Sequence, residues 1–304
     1  MTRTAMQQTT RKDPGMGPLP EAGTTFEPAE DATFASLPAE FDHQMLAERR
    51  RARIKEKVTV WAVRLGALGA FLWGWWYVSS NQVLDPALIS APGDVARTFI
   101  NQLADSTFWT DVGSTFSGAM VGLVIGSAAG ILAGVIFARV PVLHTAASPF
   151  LTLMNSLPRP ALAPIFILWF GLGFGPKALV AISVVFFVLM TNTMSAIKGL
   201  DHDISQLAKS LGMTRRQRFF KIEFPAALPS IVGGLRLGAV YSVLGAVVSE
   251  MVGAYTGLGQ RLVVMTNNFL VADTFAILLA MGILSMFLDL VISGLQRLVI
   301  RSHR

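Results

Sequence analysis

The chain has 304 residues, of which 52% are hydrophobic and 14% charged, with a mean hydropathy of +0.53 and a net charge of +6. A soluble domain carries about 25% charged residues, so this composition excludes an ordinary globular protein and predicts an all-α integral membrane protein. With no cysteine there are no disulfides or thiolate metal sites, and His43, His144, His202 and His303 show no ligand spacing. The positive charge reads as Lys and Arg retained on one side of a bilayer, not as a nucleic-acid footprint.

Residues 1–57 form a cytoplasmic tail. Its first 40 residues hold Pro14, Pro18, Pro20, Pro28 and Pro38 without an apolar core, so they are expected to be disordered rather than a signal peptide. Residues 40–57, including AERRRARIKEK, suit a helix that continues into the first span. The membrane domain is expected over 58–304.

A span needs about 20 apolar residues. Six segments meet that length: 58–79, 112–138, 145–172, 177–199, 229–253 and 273–297. With the N-terminus inside, the inner segments hold nineteen Lys and Arg, and the outer ones only Arg97, Lys177 and Arg261. That asymmetry places both termini and the 200–228 loop in the cytoplasm. Outside, residues 80–111 predict a short amphipathic helix after Pro92, capped by Asp94. Residues 254–272 predict a second outer segment in which Gly257 and Gly259 break the helix.

The second span repeats a small residue at every fourth position: Ser114, Gly118, Gly122, Gly126, Gly130 and Gly134. This spacing aligns them along one helix face. Lipid gives helices no hydrophobic reason to associate, so close backbone approach at small residues is what holds a partner. The stripe predicts a helix–helix contact, expected within the subunit. Gly234 and Gly238 repeat the device in the fifth span.

The third span carries Pro158, Pro160 and Pro164 within seven residues, which must kink or break it. Non-helical backbone at membrane depth survives only inside protein or beside a water-filled cavity. Arg159 lies in the break, where a charge costs roughly 2.5–3.5 kcal/mol on insertion scales. Two readings stand: a cation lining a solute path, or one satisfied by carbonyls freed at the kink. Asn192 and Glu250 are further path candidates, or else they bond neighbouring helices. Arg236 shares a face with Glu250 but is too far along the helix to pair with it. Asp289 reads as a local structural group.

The 200–228 loop is longer than a connector requires. Asp203 to Gln206 fits a pattern opening a helix, and Gly212 sits at a C′ position. Thr214 to Gln217 fits a capping box, and Pro225 is expected to end a second helix. The product is helix, glycine turn, helix, with Leu207, Leu211, Phe219, Phe220 and Phe224 among basic residues: a docking knob for a soluble partner.

The knob's spacing resembles the EAA loop of binding-protein-dependent type I ABC importer permeases, in which EAA, three residues, Gly, nine residues, Ile, two residues and Pro follow one another. Gln206-Leu207-Ala208 fills the triplet, with only Ala208 kept, and Gly212, Ile222 and Pro225 match. The resemblance covers about residues 90–300. It extends to Leu-Ile-Ser-Ala-Pro at 88–92 and to PALAPIFILWFGLG from Pro160, and is closest to the nitrate, sulfonate, taurine and bicarbonate group. It implies the type I importer permease fold in a bacterial inner membrane. It further implies a second, identical permease subunit, two cytoplasmic ATPases that bind ATP and Mg, and an external solute-binding protein. The solute would be a small one, such as one of that group's anions. Gln206, Leu207, Ala208, Ser210, Leu211, Gly212, Met213, Thr214, Ile222 and Pro225 would couple the chain to the ATPase.

The chain itself is not expected to be an enzyme or to hold a cofactor. GLGFGPK at 171–177 lacks the GxxxxGK[ST] spacing and hydroxyl of a phosphate loop and reads as a tight outer turn. The competing reading is a stand-alone carrier or channel. A carrier would show intramembrane acid clusters and two homologous halves, and neither is visible.

Overall fold

The computed structural model describes residues 39–85, 88–200 and 202–301, and the first 38 residues of the tail lie outside them. All regular structure among them is helical. The chain falls into two units divided between Leu68 and Gly69. Helix α1, Ala39–Ser80, runs without interruption through the expected tail–membrane boundary at 57/58. In the first unit its apolar side chains, among them Val58, Trp61 and Leu65, are exposed, and Arg64 lies over the Trp61 ring.

The second unit contains α2 (Pro92–Leu103), α3 (Ser106–Arg139), α4 (Pro141–Ser156), α5 (Ala163–Phe170), α6 (Phe174–Lys198) and α7 (His202–Ser210). It continues with α8 (Arg215–Arg218), α9 (Phe224–Val252), α10 (Leu258–Asn267) and α11 (Val271–Arg301). Among the described residues five helices are long and apolar enough to cross a membrane, or six when the bent pair Pro141–Ser156 and Arg159–Phe170 counts as one. That pair meets at 86°, the expected break. Prolines 158, 160 and 164 remove three amide donors in seven residues, and a 3₁₀ turn, Arg159–Leu162, fills the gap.

The outer segments differ from expectation in three places. Asp94 makes no cap: Ala91 is the N-cap of α2, Pro92 follows it, and Asp94 falls in the first turn, because proline's fixed φ already starts the helix. The second span begins six residues early, at Ser106, where the Asp105 carboxylate accepts from Thr107 N at 2.9 Å. Gly259 breaks nothing; it sits inside α10, and only Gly257 lies at a helix boundary.

Helices α3, α6 and α9 form the centre, with α11 and α10 against α9 and α2 against α11. The glycine stripe of α3 faces α6 within the same subunit. A methyl built on Gly122 would strike Ala181. One on Gly126 would lie 2.9 Å from the Ile182 carbonyl, one on Gly130 2.9 Å from Leu189 Cβ, and one on Gly134 2.7 Å from the Met190 carbonyl. The two backbones therefore approach as closely as the residues at the crossing allow, the arrangement that gives dispersion its shortest range. Gly234 likewise admits Asn192, and Gly238 admits Leu189. Apolar side chains including Leu123, Val185, Leu189, Val243 and Ile277 close the core around this crossing.

Gly130→Leu is expected to destabilise the solubilised protein by at least about 1–3 kcal/mol through overpacking. Gly113→Ala, where a methyl meets nothing within 4 Å, should leave the melting temperature unchanged or raise it. Equal losses in a thermal melt of both variants would contradict this packing.

Candidate functional site

At the end of the bundle that the Lys and Arg count places in the cytoplasm, α7 and α8 form the knob. Helix α7 starts at His202, so Asp203 lies in its first turn, one residue inside the expected start. Its C-terminus is closed by Gly212 at φ +71°, where an L side chain would be strained, and by Met213 N donating to the Ala208 carbonyl at 3.1 Å. This is the six-to-one bond of a Schellman ending. Thr214 then caps α8 reciprocally: Gln217 N donates to Thr214 Oγ1 at 3.2 Å, and Thr214 N to Gln217 Oε1 at 2.9 Å.

Pro225 does not end the second helix. Residues Phe219–Glu223 form a π turn that leads directly into α9, and Phe224 N reaches back to the Phe219 carbonyl. Proline has no N–H and crowds the carbonyl four residues before it; the wider turn relieves both, so the helix passes through. Knob and fifth span are one continuous rod from Arg215 to Val252.

Two contacts anchor this rod at the inner end of α3. The Arg139 guanidinium lies 4.5 Å from the Phe219 ring centroid and 3.4 Å from Glu223 Oε2. Glu223 also accepts from Arg218 Nε at 2.7 Å. Phe219 and Phe224 pack on Ile197, Ala227 and Ile231. The opposite face is free of the bundle: Leu207, Leu211 and Phe220 are 62%, 71% and 59% exposed, with Ile204 also exposed. Gln206, Ser210, Thr214 and Pro225 are exposed, Met213 and Ile222 are half-buried, and Ala208 is buried.

The three path candidates are not brought together. Asn192 donates to its own helix, at Val188 O, and packs on Gly234 of α9. Arg159 sits at the break, its Nη2 donating to Asn155 Oδ1 at 2.6 Å and its guanidinium 4.7 Å from the Phe187 centroid.

Glu250, a candidate for the path or for bonding neighbouring helices, is 1% exposed at the outer end of the core and bonds residues of α3 and α6. Its Oε1 lies 2.8 Å from Lys177 Nζ, its Oε2 accepts from Thr115 Oγ1 at 2.8 Å and from Gly259 N at 3.0 Å. Lys177 spends its other two protons on Ser114 Oγ at 2.6 Å and Thr256 O at 3.0 Å. Thr115 Oγ1 in turn accepts from Leu258 N at 2.9 Å. Every ammonium proton thus has an acceptor, the condition for keeping a charge out of water. Gly257, at φ +133°, presses its backbone against the carboxylate where any side chain would collide. Lys177, expected in an outer loop, is 2% exposed in the first turn of α6, and the outermost stripe glycine, Gly118, makes room for its methylene stem. Arg236 is held by Asp289 through two bonds of 3.0 and 2.9 Å.

Beside the Lys177–Glu250 pair, where Gly257 N donates to Asp111, Arg261 bridges Asp105 at 2.7 Å and Asp111 at 3.1 Å. The Thr107 hydroxyl and the Arg261 guanidinium hold the Asp105 carboxyl down at about 2, against an ordinary 3.8.

Against known proteins, residues 126–304 match the family described as the binding-protein-dependent transport system inner membrane component. The formylaminopyrimidine transport permease of Halalkalibacterium halodurans is 33% identical over 184 residues, 60% of this chain and 73% of that protein. The riboflavin transport system permease of Chloroflexus aurantiacus is 30% identical, covering 70% of this chain and 80% of its own. The taurine transport system permease of Escherichia coli is 27% identical, covering 77% and 86%. Among solved structures, an inward-facing form of the methionine ABC transporter aligns with a TM-score of 0.52 at 20% identity, over 63% of this chain and 93% of that one. It shares the type I importer permease fold.

Glu250→Leu should cost about 3–5 kcal/mol, since it leaves the Lys177 ammonium buried without its counter-charge. Lys177→Met/Glu250→Leu should lose less than the two single variants combined, measured by thermal unfolding in detergent; strict additivity would mean the pair is not coupled. The Asp105 carboxyl is depressed on folding, so its stabilising effect is full above the ordinary 3.8 and disappears as pH falls through about 2. The difference in melting temperature between the parent and Asp105→Asn should therefore narrow over that interval.

Proposed function

Given that the chain belongs to the binding-protein-dependent transport system inner membrane component family, a multi-pass permease for small solutes, we propose that it works as one half of a paired permease driven by two separate cytoplasmic ABC ATPases. ATP and Mg bind to those ATPases, an external binding protein delivers the solute, and the setting is a bacterial inner membrane.

The observation that supports this reading best is the knob. A knob that exposes Leu207 of α7, Leu211 just after it and Phe220 of the π turn beside Arg215 and Arg216 is an unsatisfied apolar surface, and such a surface marks a partner site. The knob is also stiff. Its two helices are capped on both sides of Gly212, and the second continues as α9 with no loop between. A push on the knob is therefore delivered along α9 to the membrane core, and through Arg139 and Phe219 to α3. ATPase closure acting on this lever rocks the helices as rigid bodies between inward- and outward-open states. The residues Gln206, Leu207, Ala208, Ser210, Leu211, Gly212, Met213, Thr214, Ile222 and Pro225 serve as the coupling element: the apolar ones by contact, Gly212 and Thr214 by shaping the turn, and Pro225 through the π turn it imposes.

The experiment is affinity purification of the chain from its native membrane, with the associated ATPase identified by its Walker motif and its activity measured. Gly212→Pro, which cannot adopt φ +71°, and Leu211→Glu should each reduce ATPase recovery and solute uptake at least ten-fold while membrane insertion is unchanged. Uptake at the parental rate in either variant would remove the coupling role.

A further inference from the structure

The cations drawn into the packed helices are not treated alike. Lys177 faces Glu250 at 2.8 Å and Arg236 faces Asp289 at 2.9 Å. Arg159 has no carboxylate within ion-pair distance among the described residues. Its partners are neutral, the Asn155 amide oxygen and the face of Phe187, and its Nε is buried with no acceptor. Arg159 is thus a cation of the bent span whose partners among the described residues are neutral, which leaves its charge available to an anion.

Both of its neutral partners line a cavity of about 210 Å³ between α4 and α6. The polar lining comprises His144, Ser148, Thr152, Asn155, Ser156 and Thr191, and it includes no acid. The hydroxyls of Thr152, Ser156 and Thr191 already donate to carbonyls one turn back, so they add polarity without charge. The cavity is large enough for a few non-hydrogen atoms. Arg159 does not line the cavity itself, but it bonds Asn155 and covers Phe187, which do, and it brings beside them a planar fork of donors, the group best matched to a carboxylate or sulfonate.

We propose that Asn155, in the wall of this α4–α6 cavity, and Arg159, bonded to it, form a binding site for the oxyanion group of a small organic acid. The guanidinium carries the charge recognition, and Asn155 holds the fork in place until the anion displaces it. The proposal rests on the permease reading for its role in transport, but the binding itself needs no ATPase.

The test uses the full chain in phosphatidylcholine nanodiscs, with methanesulfonate as the probe and uncharged dimethyl sulfone of similar shape as its control, at constant ionic strength. Methanesulfonate should raise the melting temperature in a saturable way, and dimethyl sulfone should not. Arg159→Gln should weaken the apparent affinity at least about ten-fold, and Arg159→Lys, which keeps the charge but loses the fork, should fall between. Arg97→Gln, the same charge change on the exposed face of α2, should match the parent. Equal response to both probes overturns the site, as does an unchanged affinity in Arg159→Gln or no response at all. Stabilisation that appears only when phosphatidylglycerol replaces phosphatidylcholine overturns it in favour of a lipid headgroup. The parental protein's probe comparison stands even if a variant folds poorly. Loss of the anion response with ATPase recovery intact removes this site alone; the reverse removes the permease reading alone.

Discussion

Helices in a bilayer gain nothing by hiding apolar surface from lipid that is equally apolar. What remains is contact at short range and the matching of polar groups, and the α3–α6 crossing supplies both in one line. Gly122, Gly126, Gly130 and Gly134 let the α6 backbone settle onto α3. At the outer end of the same line, Gly118 leaves a channel for the Lys177 stem, so that its ammonium reaches Glu250 on α9. Close approach thus sets the place where the ion pair forms, and the pair brings the third helix of the core into register with the first two. Lengthening any of those side chains separates the helices, and with them the acceptors that make a buried ammonium tolerable.

The same logic explains why the two ends of the bundle differ. The outer end is locked by the Lys177–Glu250 pair out of water, with Thr115 bonded to it, and by Arg261 with Asp105 and Asp111 at a partly exposed rim. The inner end is held by aromatic and partly exposed ionic contacts, Arg139 on Phe219 and Glu223, and it projects a knob with apolar side chains turned to solvent. Ion pairs lie at the end where the helices are held together, and an uncovered apolar surface lies at the other.

Much of this was legible in the residues. The four-residue spacing of glycine in α3 pointed to a helix contact, the proline cluster to a broken span, and the Gly212 and Thr214 patterns to the two-helix knob, because each depends on local backbone chemistry. The misses came from tertiary pairing. Lys177 reads as a loop charge because it closes the Gly-rich turn at 171–177, and Glu250 reads equally as path lining or as a bond between helices because no cation is near it in sequence; only the fold brings the two together across 73 residues. Gly257 does mark a helix boundary, and it also lies against the Glu250 carboxylate; Gly259 looked like a breaker but sits inside α10, small because the Val247 carbonyl and Glu250 Cβ pass beside it. Pro225 looked like a stop signal, since nothing in its neighbourhood announces a π turn.

That long separation between Lys177 and Glu250 bears on how the protein is made. The ammonium enters the bilayer with α6 well before the ribosome has produced the residue that neutralises it, and the 38-residue rod that carries the acid begins with the cytoplasmic knob. Until that rod has been threaded, the half-built bundle holds an unmatched charge at its outer rim, which favours keeping the early helices near the insertion machinery rather than releasing them into lipid. The outer lock is therefore completed late in synthesis: a chain truncated before Glu250 leaves the Lys177 ammonium without its carboxylate.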